Sequence, residues 1–163
     1  MKKKTPSEFE ERLLAAISWF GTAFNIGGIT VRDRRILGGR RVLTRKKLEY
    51  FNTNDRFLKL MISLESLFIF GREPVRSNIA ERVAFTLAKS YGERANIAKY
   101  IKKLYDIRSN IVHRGGVEVK KSDLDSLAII ARKAIIGWML KGSRLKMKRT
   151  NDMFNWFEKQ KFS

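Results

Sequence analysis

The chain has no cysteine, one histidine and two prolines in its 163 residues. Without cysteine it has no disulfide, no thiolate nucleophile and no cysteine-held metal. With His113 alone, a metal site would have to be built almost wholly from carboxylates, and Asp plus Glu number only sixteen. The reading is therefore no metal and no cofactor. Long apolar runs are missing too. The longest, Leu127 to Leu140, carries Arg132 and Lys133 in its middle and falls short of the roughly 20 residues that span a bilayer. Met1-Lys-Lys-Lys4 opens like the basic start of a signal peptide, but Glu8, Glu10, Glu11 and Arg12 interrupt any apolar stretch behind it. The expectation is a soluble, cytoplasmic protein with no membrane partner.

What is abundant is positive charge. Thirty-five Lys and Arg give a net +19 and a pI near 10.6. A field of that sign draws polyanions, and RNA is the partner expected first. Anionic membrane surfaces and plain solubility charge are the other readings. Hydrophobic residues at 44% and aromatics at 11% are enough for one packed core, so residues 1–163 read as a single domain.

The apolar spacing is helical nearly throughout. Ser7-Glu-Phe-Glu10 is a capping box ahead of Phe9, Leu13, Ala16, Ile17 and Phe20, which predicts a first helix to about Phe24. Residues 25–50 contain Gly27-Gly28 and Gly38-Gly39 and read as an irregular basic insertion with room for a short hairpin. A second, central helix is expected from Asn54 to Gly71, a third from Pro74 to about Tyr91, broken at Gly92, and a fourth from Glu93 to Gly115-Gly116. Ser122-Asp-Leu-Asp125 caps a fifth through about Leu140. Residues 141–163 read as a basic extension with a short helix near Asp152 to Lys159. The fold class is all-α, a bundle of five to six helices.

One stretch carries chemistry. Arg108-Ser-Asn-Ile-Val-His113 closes the fourth helix, where side chains project past the helix end. Arg108 offers a planar fork of donors matched to phosphate oxygens. His113 exchanges a proton near neutral pH. Five helical positions put the two about 140° apart around the axis, whereas Ser109 and His113 share a face. Two copies of the helix meeting across a two-fold axis bring such residues into one groove, so a homodimer is expected.

Leu64-Glu-Ser-Leu-Phe68, Ala80-Glu-Arg-Val-Ala84 and Leu104-Tyr-Asp-Ile-Arg-Ser-Asn-Ile-Val-His-Arg-Gly115 together resemble the HEPN superfamily, most closely its Apea-like branch. Ile17-Ser-Trp-Phe20 fits that branch as well. The resemblance implies a dimeric helical bundle that cleaves RNA without metal through an Arg-x4-His motif, here Arg108 and His113. It implies that His113 moves protons as the ribose 2′-hydroxyl attacks phosphorus, and that Arg108 stabilises the charge-rich transition state. Ser109 and Asn110 fall where the superfamily places supporting polar residues. The implied setting is phage defence by abortive infection, or the toxin of a toxin–antitoxin pair with an antitoxin or regulatory protein as partner. Members that bind without cleaving imply the alternative, a non-catalytic RNA- or nucleotide-binding module regulating a partner. The toxin subgroup with Tyr two positions past the His is not matched, since Gly115 stands there.

Blander roles exist for each of these residues. A histidine in a last helical turn also serves as a dipole partner, and Arg108 has Asp106, Asp123 and Asp125 as ordinary candidates for an ion pair. Glu65, a carboxylate in an otherwise apolar helix, is read as structural and paired with Arg82, or as a support to the site. Trp19, Trp138 and Trp156 read as core or dimer interface, and Tyr105 as core. Residues 31–47 hold Arg32, Arg34, Arg35, Arg40, Arg41, Arg45, Lys46 and Lys47 against Asp33, a net +7. That run reads as an RNA-backbone arm or a solvated loop. Arg114 is a further candidate RNA contact, and Lys141, Arg144, Lys146, Lys148 and Arg149 form a second basic patch.

Overall fold

The computed structural model describes residues 5–24, 45–114 and 117–161, and among these it contains six helices and no strand. The all-α bundle expected from apolar spacing is the fold that forms. Helix α1 runs Glu8–Phe24. Its start is the expected capping box, with the Ser7 N–H donating to Glu10 Oε2 at 2.7 Å and the Glu10 N–H to Ser7 Oγ at 3.3 Å.

Two boundaries differ from expectation. Helix α2 runs Arg45–Phe68, so it starts well before Asn54 and takes in part of the segment read as irregular. Arg45-Lys-Lys-Leu-Glu49 are mostly strong helix formers. Asn54 is an interior residue whose side-chain amide donates to the Val117 carbonyl at 2.9 Å. Residues 25–44 lie outside the described residues, and with them the hairpin expectation and Arg32, Arg34, Arg35, Arg40 and Arg41. Helix α3 runs Val75–Leu87 and α4 runs Tyr91–Arg114, so the break precedes Gly92. A second capping box decides this. The Ser90 hydroxyl donates to Glu93 Oε2 at 2.8 Å and accepts from the Glu93 N–H at 3.3 Å, which satisfies donors at the helix start.

Helix α5 runs Lys121–Arg144 and α6 runs Thr150–Lys161. Lys120, not Ser122, occupies the α5 cap position, without a side-chain bond. The helix continues past Leu140, so the extension expected at 141–163 begins inside α5.

Helix α2 is central, as its all-round apolar pattern predicted, and packs against α1, α3, α4 and α5. Phe57, Leu60, Met61, Leu64, Leu67 and Phe68 have no exposed surface, each contributing about 1.5–3 kcal/mol of burial. Helix α5 adds Leu127, Ala131, Ala134 and Trp138. Helix α6 closes one end, where Trp138, Trp156, Phe157 and Phe68 pack ring against ring. Where α1 crosses α5, the Phe9 ring lies against Gly142 and fills the space that a Cβ there would need. The chain then leaves α2 through Gly71 at φ 79, a conformation that glycine adopts without strain.

Two arginines tie off the end of α2. Arg12 donates to the Ser66 and Ile69 carbonyls at 2.9 and 2.8 Å. Arg82 donates to the Phe68 carbonyl, grips Glu73 with both Nη atoms and lies 4.3 Å over the Phe70 ring. The last carbonyls of a helix lack partners of their own, and here guanidinium groups supply them.

Candidate active site

The first half of α4 explains where its last turns point. Ile97, Ile101, Leu104 and Arg108 follow the three-and-four spacing of a single stripe. Ile101 and Leu104 are fully buried and Ile97 packs against the core. Arg108 therefore stands where the stripe calls for another apolar residue, and its side chain turns in toward α2. There it meets Glu65, with Arg108 Nε 3.3 Å from Glu65 Oε1 and both side chains about three-quarters buried. This overturns two expectations. Glu65 does not pair with Arg82, which holds Glu73. Arg108 does not pair with Asp106, which takes Arg76 in a bidentate bridge with both contacts at 2.7 Å. Nor does it pair with Asp123, which accepts from Lys103 at 2.9 Å and the Tyr100 hydroxyl at 3.0 Å.

The Glu65–Arg108 contact is an ion pair without hydrogen-bond alignment. Glu65 Oε1 and Arg108 Nε are both shielded from solvent, and neither has a well-aligned hydrogen-bond partner among the described residues. Burial pushes the Glu65 carboxyl above its ordinary pKa, and the adjacent Arg108, through its charge and a weak, poorly aligned hydrogen bond, only partly offsets it. The Tyr105 ring, itself packed on the core, lies under the guanidinium with Cζ 5.8 Å from its centroid.

His113 faces elsewhere. It is exposed in the last turn of α4 together with Arg114, about 140° around the helix from Arg108. Ser109 and Asn110 are half-buried between them. Val112 is half exposed, an apolar side chain facing solvent next to the motif. One chain thus brings Arg108 to Glu65 and Tyr105, and does not bring Arg108 and His113 onto a common face.

No family model, curated protein or solved structure matches this chain.

Arg45, Lys46 and Lys47 occupy the first turn of α2. The second patch begins at the C-terminal end of α5, about 35 Å along that helix from the segment that follows His113. Lys141 of that patch is folded back onto the indole of Trp156, 3.6 Å from its centroid. Trp138 is core, as expected, while Trp19 is partly exposed on α1. The described residues hold no group of three or more His, Asp or Glu placed to hold a metal, and none of their helices is long and apolar enough to cross a membrane.

A cationic groove is absent from the sequence expectations. Arg76 of α3 and Lys99, Lys102, Lys103 and Asp106 of α4 line a depression of about 470 Å³. The signal that could have found it is the lysine spacing on α4, three residues from Lys99 to Lys102.

Proposed function

We propose that this chain is a metal-independent endoribonuclease whose site is built on Arg108 and His113. The observation that carries the reading is the placement of Arg108. Arg108 approaches a partly buried carboxylate through Nε at 3.3 Å, and its two Nη groups are the donors assigned here to an incoming phosphate. The resemblance in residues 104–115 supplies the chemistry. His113 takes the proton from a ribose 2′-hydroxyl, whose oxygen attacks the adjacent phosphorus. The P–O5′ bond breaks, the 5′ oxygen receives a proton, and a 2′,3′-cyclic phosphate remains. Arg108 neutralises charge that grows on the phosphoryl oxygens. Because Arg108 and His113 diverge on one helix, the complete site is proposed to combine Arg108 of one copy with His113 of a second. Val112 is apolar surface that such a partner would cover. Phage defence or a toxin–antitoxin pair is the setting that the resemblance supports.

The contact with Glu65 also favours a second reading, a module that binds RNA or a nucleotide without cutting it, since part of Arg108 is already engaged. Purified protein incubated with mixed RNA and EDTA separates the two. Cleavage should fall at least about a hundredfold in His113→Ala, the usual scale for losing a general acid–base group. Equal cleavage by both proteins, or by neither, sinks the ribonuclease. Mixing Arg108→Ala with His113→Ala chains should then restore about a quarter of the activity, because half of the random dimers carry one intact composite site.

A further inference from the structure

We propose that the groove between α3 and α4 is a phosphate track that leads single-stranded RNA to His113. The destination rests on the ribonuclease reading; the track itself rests on geometry. Lys99, Lys102, Asp106, Ser109 and His113 are spaced three, four, three and four residues apart, so they form one continuous stripe on the outer face of α4. The stripe rises about 21 Å from Lys99 to His113, the length of a few nucleotides. It is the opposite side of the helix from the Ile101–Leu104–Arg108 stripe that faces the core.

The charges within the groove sort its side chains by role. Lys103 is committed to Asp123 at 2.9 Å. Asp106, the one carboxylate lining the groove, is covered by Arg76 through both of its oxygens. That bridge removes an anion that would repel a strand halfway to His113. Lys99 and Lys102 have no carboxylate partner among the described residues, and a strand's phosphates are the ligand such lysines fit. Ala95 and Ala98 line the same depression, and their short side chains leave space where long ones would fill it. The strand is single, because the attacking 2′-oxygen has to swing in line with the breaking bond, and base pairing holds a ribose out of that arrangement.

The test is binding of a short fluorescent oligouridine to chains carrying His113→Ala, which keeps the probe intact. Lys99→Glu/Lys102→Glu should weaken binding at least about tenfold and flatten the dependence of log affinity on log salt by about 1.4, the amount expected for two lost phosphate contacts on a single strand. Lys146→Glu/Lys148→Glu makes the same change in net charge beyond the far end of α5 and should weaken binding by under about threefold. Should reversal unfold the helix, Lys99→Ala/Lys102→Ala must still lower affinity and salt slope in the same direction. Equal losses from the two double reversals, or none from the groove pair, overturn the track. If the groove pair loses binding while the unaltered chain cuts no RNA, the track stands and the ribonuclease falls. If the unaltered chain cuts RNA while the groove pair binds unchanged, the ribonuclease stands and the track falls.

Discussion

Arg82 and Arg108 both reach the central helix α2, and each has a glutamate opposite it, yet the two pairs are built differently. Arg82 is almost wholly buried, holds Glu73 with both Nη atoms, donates to the Phe68 carbonyl and stacks on Phe70. Glu73 is correspondingly held below its ordinary pKa. Burial opposes this, but the hydrogen bonds from Arg82 and from the Phe70 N–H outweigh it. Arg108 brings Nε to 3.3 Å from Glu65 Oε1 in poor hydrogen-bond alignment, and there burial outweighs the charge and weak hydrogen bond of Arg108, so the carboxyl rises. A saturated pair has nothing left to offer a ligand; it fastens the end of α2. An under-bonded pair retains donors and an uncompensated loss of hydration, both of which an added phosphate would relieve.

The largest expected effect follows from the saturated pair. Glu73→Ala leaves Arg82 buried and uncompensated, which should cost about 3 kcal/mol and lower Tm by roughly 9 °C in a chain of this length. Glu65→Ala leaves a guanidinium that was never fully bonded and is partly in reach of water. Its loss of stability in urea unfolding should be clearly smaller. Equal losses would erase the distinction between the two pairs.

Arg108→Lys sharpens the same contrast from the side of activity. Lysine keeps the charge opposite Glu65 but loses the planar fork. RNA cleavage by the folded protein should drop at least about tenfold, or about 1.4 kcal/mol in the transition state, while Tm moves by under about 2 °C. A variant that cuts as well as the parent chain would show that Arg108 supplies only a point charge.

How much of this is legible in the sequence depends on the range of the interaction. The helices are legible because capping and apolar period are local, as Ser7–Glu10 shows. The α3–α4 break lies ahead of its expected place because the Ser90–Glu93 box, not Gly92 beside it, sets the start of α4. The start of α2 differs for a related reason: Asn54 looks like a cap, but its amide is used across the fold, on Val117. Pairing partners are the least legible. Glu65 has Arg82 and Arg108 within plausible reach along the chain, and only the packing of α4 on α2 selects Arg108. The stripe from Lys99 to His113 is readable as spacing. That it borders a groove becomes visible only when Arg76 arrives from α3.

The smallest expected effect is a pair of opposite pH slopes, and sign alone decides it. Glu65 has a raised pKa in the folded chain. Its contribution to stability is fully present below the unfolded glutamate value, about 4.3, and is lost as pH rises through the folded value. The stability of the parent chain relative to Glu65→Gln should therefore decline as pH rises above about 4.3. Glu73 has a lowered pKa, so its contribution is present above about 4.3 and is lost as pH falls through the folded value beneath it. The parent chain relative to Glu73→Gln should thus gain stability as pH rises toward about 4.3 from below. Urea unfolding of the three proteins at a series of pH values on both sides of about 4.3 measures both slopes. Slopes of the same sign would mean that Glu65 is bonded as Glu73 is, and Arg108 would then have no spare donors to set against a phosphate.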